Sequence, residues 1–267
     1  MSLLTSLFRA TLEPQQIEQF QRDGHLLVRN AYSRQSLIEL AEQLETARSA
    51  EVLLRDPEAR KEPNAFFWRR SADIARFVLD RGLGEVASTL LCVDGVRLIH
   101  ESFFEKSKEA GRVPWHRDSH FWSFSGVGAL TVWIPLHDTP LSMSPLRYAS
   151  GSHCERDTHI LSRFEKVLIP LRYPIAVSSM KLGDIVIHHS QTLHGAARTS
   201  ERRTRKALSL HLFDANATAL PSDVNDHVNH AKRCGWDRLV AGEPFPDELA
   251  PLIFRREPSL TAAGRSF

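Results

Sequence analysis

Between residues 14 and 24 the chain reads PQQIEQFQRDG, with Ile17 and Phe20 one turn apart and Gly24 at the end. That pattern predicts a short helix stopped by glycine. HLLVRN, 25–30, predicts a strand. In SRQSLIELAEQLETARSAEVLL, 33–54, Leu37, Leu40, Ala41, Leu44 and Ala47 share one helical face and Ser33 stands ready as N-cap. SADIARFVLDRGLGEVASTLL, 71–91, reads as two short helices broken around Gly82 and Gly84.

From residue 96 the period changes. VRLIHESFFEK, VPWHRDSHF, ALTVWIPLHD, LRYASGSH, AVSSMKLGDIVIHHS and KALSLHLF are short runs rich in branched and aromatic residues, separated by Gly, Pro, Ser and Asp. Strands at this spacing predict a sandwich or barrel rather than alternating βαβ units. The stretch 215–267 is polar and Pro-rich with a weak helical pattern at 224–233, and its end, REPSLTAAGRSF, reads as a mobile tail. No repeat or low-complexity tract interrupts the chain. The expectation is one α+β domain, mainly β, over 1–267: a helical part to about 92, a β core over about 93–214 and a rim segment over 215–267.

Composition narrows the function classes. Of 267 residues, 42% are hydrophobic and 25% charged, the profile of a globular protein with a sizeable core. The net charge of +2 and the scatter of basic residues, ERRTRK at 201–206 apart, point away from nucleic acid. No window approaches 18 apolar residues, so no membrane span is expected. The N-terminus lacks a basic start and a long enough apolar stretch for a signal segment. Three widely spaced cysteines, at 92, 154 and 234, form no C-x-x-C pair and fit a reducing cytoplasm.

The candidate chemistry starts in VPWHRDSHFW, 113–122. Read as a strand, it puts His116, Asp118 and His120 on one face. An imidazole and a carboxylate leave a divalent iron under-coordinated, and a second histidine would complete the 2-His-1-carboxylate set of non-haem Fe(II) oxygenases. The best donor is His194 in GDIVIHHSQTLHGA, followed by Gly195, whose size permits close backbone approach. His188, His189, His137 and His153 read as core or turn histidines. Eleven residues after His194 comes Arg205. In alternation it shares a small polar face with Ala207, Ser209 and His211, opposite Leu208, Leu210 and Leu212, which suits a cavity holding a carboxylate. Thr131 and Trp133 likewise face away from Leu130, Val132, Ile134 and Leu136.

On IEQFQRDGHLLVRN, WHRD, the VWIPL strand, PLRYASGSH and GDIVIHHSQTLHGA followed by Arg205, the chain resembles the phytanoyl-CoA dioxygenase family of Fe(II)/2-oxoglutarate oxygenases from about 14 to 213. The resemblance implies a double-stranded β-helix (jelly roll) flanked by N-terminal helices. It makes His116, Asp118 and His194 the iron ligands and Arg205 the partner of the distal carboxylate of 2-oxoglutarate. It sets Trp133 along the cosubstrate pocket and makes Ser102 a further cosubstrate contact. Three departures stand out. Ala196 replaces a frequent Ser or Thr, with Thr131 the expected substitute; Met143-Ser144 replaces Asn-Gly; and Arg117 replaces Gln within H-x-D. Asp118, where related halogenases carry Gly or Ala, points away from halogenation. The implied reaction is hydroxylation of an unactivated C–H bond of a small molecule by O2, with 2-oxoglutarate going to succinate and CO2. His120 is the candidate substrate or supporting residue. Arg69 and Arg70 are weaker candidates for an anionic substrate. Desaturation, epimerisation and ring formation begin from the same abstraction. The competing classes are a non-catalytic ligand-binding barrel and a metal enzyme that dispenses with 2-oxoglutarate.

Overall fold

In the computed structural model, residues 7–126, 128–155, 161–221 and 225–257 are described. The tail beyond 257, expected to be mobile, lies outside them. Helix α1 (Pro14–Asp23) ends where Gly24 takes up φ 73° and its amide donates to the Phe20 carbonyl. The chain then enters β1 (His25–Val28). Ser33 caps α2 (Arg34–Ala47) by accepting from the Ser36 amide. The helix expected to run on to residue 54 stops there instead, because Ser49 caps a new one, α3 (Ala50–Arg55), followed by α4 (Pro57–Lys61). The next break also moves. It falls between α5 (Ala72–Val78) and α6 (Arg81–Leu91), where the Asp80 carboxylate accepts from the Gly82 and Leu83 amides, leaving both glycines inside α6.

The core strands follow as β2 (Gly95–Lys106), β3 (Val113–His116), β4 (Ala129–Pro135), β5 (Arg147–Ala149), β6 (Ile175–Val177), β7 (Ile185–His189), β8 (His194–Ala196) and β9 (Arg205–Asp214). A helix absent from the sequence reading, α7 (Arg163–Arg172), starts at a reciprocal cap between Ser162 and Glu165 and carries Pro170 inside it. The helical pattern near the end becomes α8 (Asn225–Cys234), and β10 (Leu252–Arg255) is a strand that the polar composition concealed.

All pairings are antiparallel. The larger sheet runs β1-β7-β4-β9-β2-β10 and the smaller β3-β8-β5-β6. This is the jelly-roll arrangement the sequence leads one to expect, with both termini contributing an edge strand to the larger sheet. One face of that sheet is aliphatic. Leu130, Val132, Ile134, Leu208, Leu210 and Leu212 pack with Leu37, Leu40, Leu44, Ile74 and Leu83 of the helices. Each fully buried leucine contributes about 1.5–3 kcal/mol relative to exposure. With that face spent on the helices, alternation leaves the opposite face of the same strands for the interior of the roll. Among the described residues, no helix is long and apolar enough to cross a membrane.

Candidate active site

β3 and β8 pair so that His116 stands directly opposite His194. Trp115, the alternate residue, turns outward to pack with Ala149, Ile169 and Leu193, which aims His116 inward. Each histidine is fixed through its Nδ1. His116 Nδ1 lies 3.0 Å from the Pro114 carbonyl and His194 Nδ1 3.0 Å from the Thr192 carbonyl. A carbonyl only accepts, so the proton sits on Nδ1 and the lone pair on Nε2. Both Nε2 atoms face Asp118 Oδ1, at 3.7 Å from His116 and 3.5 Å from His194.

Asp118 does not lie on a strand. β3 ends at His116, and 118–121 form a 3₁₀ turn. Pro114 offers the ladder no N–H, and two bonds to the β7–β8 turn pull the chain aside: Ser119 N donates to Ser190 O (3.2 Å) and buried Arg117 donates through Nε to Gln191 O (2.9 Å). Arg117 thus points away from the site, as alternation suggests. The reading that placed His120 beside His116 and Asp118 fails here. At about three residues per turn, positions two apart no longer share a face, and His120 lines neither cavity described below.

The second carboxylate oxygen is already engaged. Asp118 Oδ2 accepts from Thr131 Oγ1 (2.5 Å) and from His188 Nε2 (3.2 Å). Thr131 has one hydroxyl proton, spent on Asp118, so it accepts from His211 Nδ1 at 2.9 Å. Thr131 was expected to make up the cosubstrate hydrogen bond missing at Ala196; its donor is committed to the carboxylate instead. His188 and His211 are residues the sequence reading left aside. They belong to one row, His25, His188, Thr131, His211 and His100, in register across β1, β7, β4, β9 and β2. Only the shared alternation of Arg205 and His211 hinted at it. Burial lowers His211 to about 4, so it stays neutral. Burial and the neighbouring His116 hold His194 well below its ordinary value, which keeps it in the form that binds a metal. Burial opposes ionisation of Asp118, yet the carboxyl is held well below the usual range, with the bond from His188 favouring the charged form.

Two cavities meet at this cluster and share His116, Asp118 and His211. The smaller, of about 190 Å³, is walled by Thr131, Trp133, His188, Ser209 and Arg205. The Arg205 guanidinium lies 5.2 Å from the centroid of the Trp133 ring, and its Nη1 donates to the Ser144 carbonyl. Ser144 is held at φ 55°, a conformation that suits the glycine it replaces, and its Oγ donates to Ala197 O. Arg205 Nε is buried with no hydrogen-bond partner among the described residues, and burial lowers the group to about 10.

The larger cavity, of about 830 Å³, is bounded by segments from both ends of the chain, including Asn64, Phe104, Trp122, His100 and His230. Ser102 opens into it and not into the smaller one, so the expected cosubstrate contact is misplaced. β9 lies between β2 and β4, and its Ser209, directly opposite Ser102, takes the position on the smaller cavity. Arg69 and Arg70 are turned to backbone carbonyls, Arg69 to that of Cys234 and Arg70 to that of Ala65.

The donor set suits a cation. Two Nε2 lone pairs and a carboxylate oxygen converge within 4.8 Å of one another, with no donor hydrogen between them. Two imidazoles and one carboxylate with open positions match non-haem iron(II), and the orphaned Arg205 Nε matches an anion in the smaller cavity. Gly195 keeps the strands close enough for this. A Cβ there would meet the Val113 carbonyl oxygen at 2.8 Å and that of Pro114 at 3.1 Å. Gly195→Ala is therefore expected to push β3 from β8, spread His116 from His194 and lower turnover about 10²-fold while the protein remains folded. Iron affinity and melting temperature, measured together, check this. Wild-type iron affinity in the variant would contradict it.

The sequence profile of the phytanoyl-CoA dioxygenase family matches residues 7–207. Ectoine dioxygenases of Bordetella parapertussis and Bordetella bronchiseptica are each 25% identical over 224 residues, 71% of this chain and 71% of theirs. Among solved structures, the non-haem alpha-ketoglutarate-dependent epimerase SnoN from nogalamycin biosynthesis superposes with a TM-score of 0.74 at 22% identity, covering 90% of this chain and 98% of that one. EctD from S. alaskensis, solved with 2-oxoglutarate and 5-hydroxyectoine, gives 0.67 at 19% identity over 96% and 90%. At such identities the structural likeness speaks for the fold, while the profile covers most of the chain: this protein belongs to the phytanoyl-CoA dioxygenase family.

Proposed function

We propose that this chain is a non-haem Fe(II)/2-oxoglutarate-dependent dioxygenase that hydroxylates an unactivated C–H bond of a small molecule, acting as one domain in the cytoplasm. The observation that carries this is the convergence of His116 Nε2, His194 Nε2 and Asp118 Oδ1 beside a small cavity whose wall holds a buried, partly unpartnered Arg205. Family membership and the names of the ectoine dioxygenase relatives support it. Free cysteines at 92, 154 and 234 support the location.

His116, Asp118 and His194 would hold the iron, and Arg205 would take the distal carboxylate of 2-oxoglutarate with Trp133 along its chain. Bound iron with O2 supplies the oxidising power that turns 2-oxoglutarate into succinate and CO2 and removes a hydrogen atom from the substrate. The protein's share is positional. The Pro114 and Thr192 carbonyls keep both Nε2 lone pairs turned to the metal, and Thr131 and His188 occupy Oδ2 so that Oδ1 is the oxygen presented. The larger cavity takes the substrate, whose reacting carbon reaches the cluster at the His116, Asp118 and His211 edge. The test is anaerobic addition of Fe(II) and 2-oxoglutarate to apo-protein. A visible charge-transfer band requiring both, followed by succinate on admission of air, is expected. Iron binding with neither band nor succinate refutes the reading and favours a metal site without this cosubstrate.

A further inference from the structure

We infer that Lys106 is a second cation for the distal carboxylate of the 2-oxo acid, acting beside Arg205, so that the smaller cavity selects dicarboxylates. The inference rests on the oxygenase reading above.

Lys106 is the last residue of β2 and stands directly opposite Arg205 on β9. Residues directly opposite on antiparallel strands project to the same side of the sheet, and like charges so placed are destabilising. The outer face of the same strands solves this in the ordinary way. There Lys206 is opposite Glu105 and meets both Glu105 and Glu45, and Arg48 also reaches Glu105. The inner face has two cations with no acid paired to either, and Glu105, which also borders the smaller cavity, is met by Arg48 and Lys206 instead. Lys106 is 4% exposed, as is Arg205, and both line the smaller cavity. Among the described residues no carboxylate pairs with either.

A buried ammonium needs partners for three N–H groups. Lys106 Nζ donates to the Gly111 carbonyl at 2.6 Å, which accounts for one. Arg205 has given Nη1 to the Ser144 carbonyl and retains an orphaned Nε. Nε and Nη2 still present a two-pronged edge to a carboxylate, and the neighbouring ammonium, with two N–H groups left, reaches the same anion from the β2 side. Burial first, and then Arg205, lowers Lys106 to about 8, as expected of a cation awaiting an anion. Both residues lie at the end of β2 and β9 away from His100 and His211, so they serve the distal end of the cosubstrate rather than its metal-binding end.

The experiment compares 2-oxoglutarate with 2-oxopentanoate, which has the same five-carbon chain without the distal carboxylate. Dissociation constants are measured anaerobically on Fe(II)-loaded wild type, Lys106→Met and Lys106→Arg through the charge-transfer band, with melting temperatures alongside. Lys106→Met is expected to weaken 2-oxoglutarate about 10- to 100-fold and to leave 2-oxopentanoate within about twofold, while Lys106→Arg recovers most of the preference because the charge is kept. Equal weakening of both acids means that Lys106 only ties the 107–112 loop through Gly111, and it overturns the inference. Unchanged 2-oxoglutarate affinity overturns it as well. Absence of the band in wild type is a different failure: it removes the oxygenase reading itself.

Discussion

Asp118→Ala is expected to bring 2-oxoglutarate-dependent succinate formation down by about 10³-fold or more, with the protein still folded. A 10³-fold loss corresponds to about 4 kcal/mol of lost metal and transition-state stabilisation, each 1.4 kcal/mol being tenfold. Asp118 carries two loads. Its Oδ1 is the one anionic donor among the three groups that converge, and its Oδ2 gathers the Thr131 hydroxyl and His188 Nε2. The variant therefore loses iron affinity and leaves two buried donors unsatisfied, at about 1–3 kcal/mol each. For a chain of this size that lowers the melting temperature by about 2–4 °C per kcal/mol. No β-ladder bond runs through residue 118, which is why folding survives. Iron stoichiometry, succinate yield and melting measured on one preparation decide the matter. Succinate at a tenth of the wild-type rate or better in the metal-loaded variant would remove Asp118 from the metal site.

Arg205→Ala is expected to raise the concentration of 2-oxoglutarate needed for half-maximal band intensity about 10²- to 10³-fold, following the 2–5 kcal/mol typical of truncating one partner of a buried charge pair. Iron binding itself should hardly change, because the guanidinium touches Ser144 and the Trp133 ring rather than the ligand cluster. Arg205→Lys should recover only part of the loss, since a lysine lacks the planar fork. A variant that keeps wild-type affinity for 2-oxoglutarate would show that the smaller cavity does not hold the cosubstrate. Together the two substitutions separate metal from cosubstrate: one loses both, the other only the second.

Much of this site can be read from residue order, and the parts that cannot share a cause. H-x-D, the distal histidine before a glycine and the arginine eleven residues on lie within short windows, and the alternation of KALSLHLF assigns its faces unaided. Extending the strand through residue 121 went wrong because the bend at Asp118 is imposed by Ser190 and Gln191, more than 70 positions away. Thr131 faces the site as alternation requires, but the recipient of its proton depends on where Asp118 falls after that bend. Ser102 is correctly inward and still in the other cavity, because its distance from the metal depends on how many strands separate β2 from β4.

The sequence by itself determined the helical and strand periods, the caps at Ser33 and Gly24, which face of each strand is greasy, and the donor types present. These are local properties, set by side-chain geometry within one turn or one pleat. Only the tertiary structure set His116 directly opposite His194, with both Nε2 atoms turned to Asp118. It also decided that His188 and His211 stand behind the carboxylate, and that Lys106 confronts Arg205 across two strands. Each of those depends on the register between segments far apart in the chain. That register is fixed by closing one buried core between two sheets, and a one-residue slip would turn every side chain of a strand to the other face.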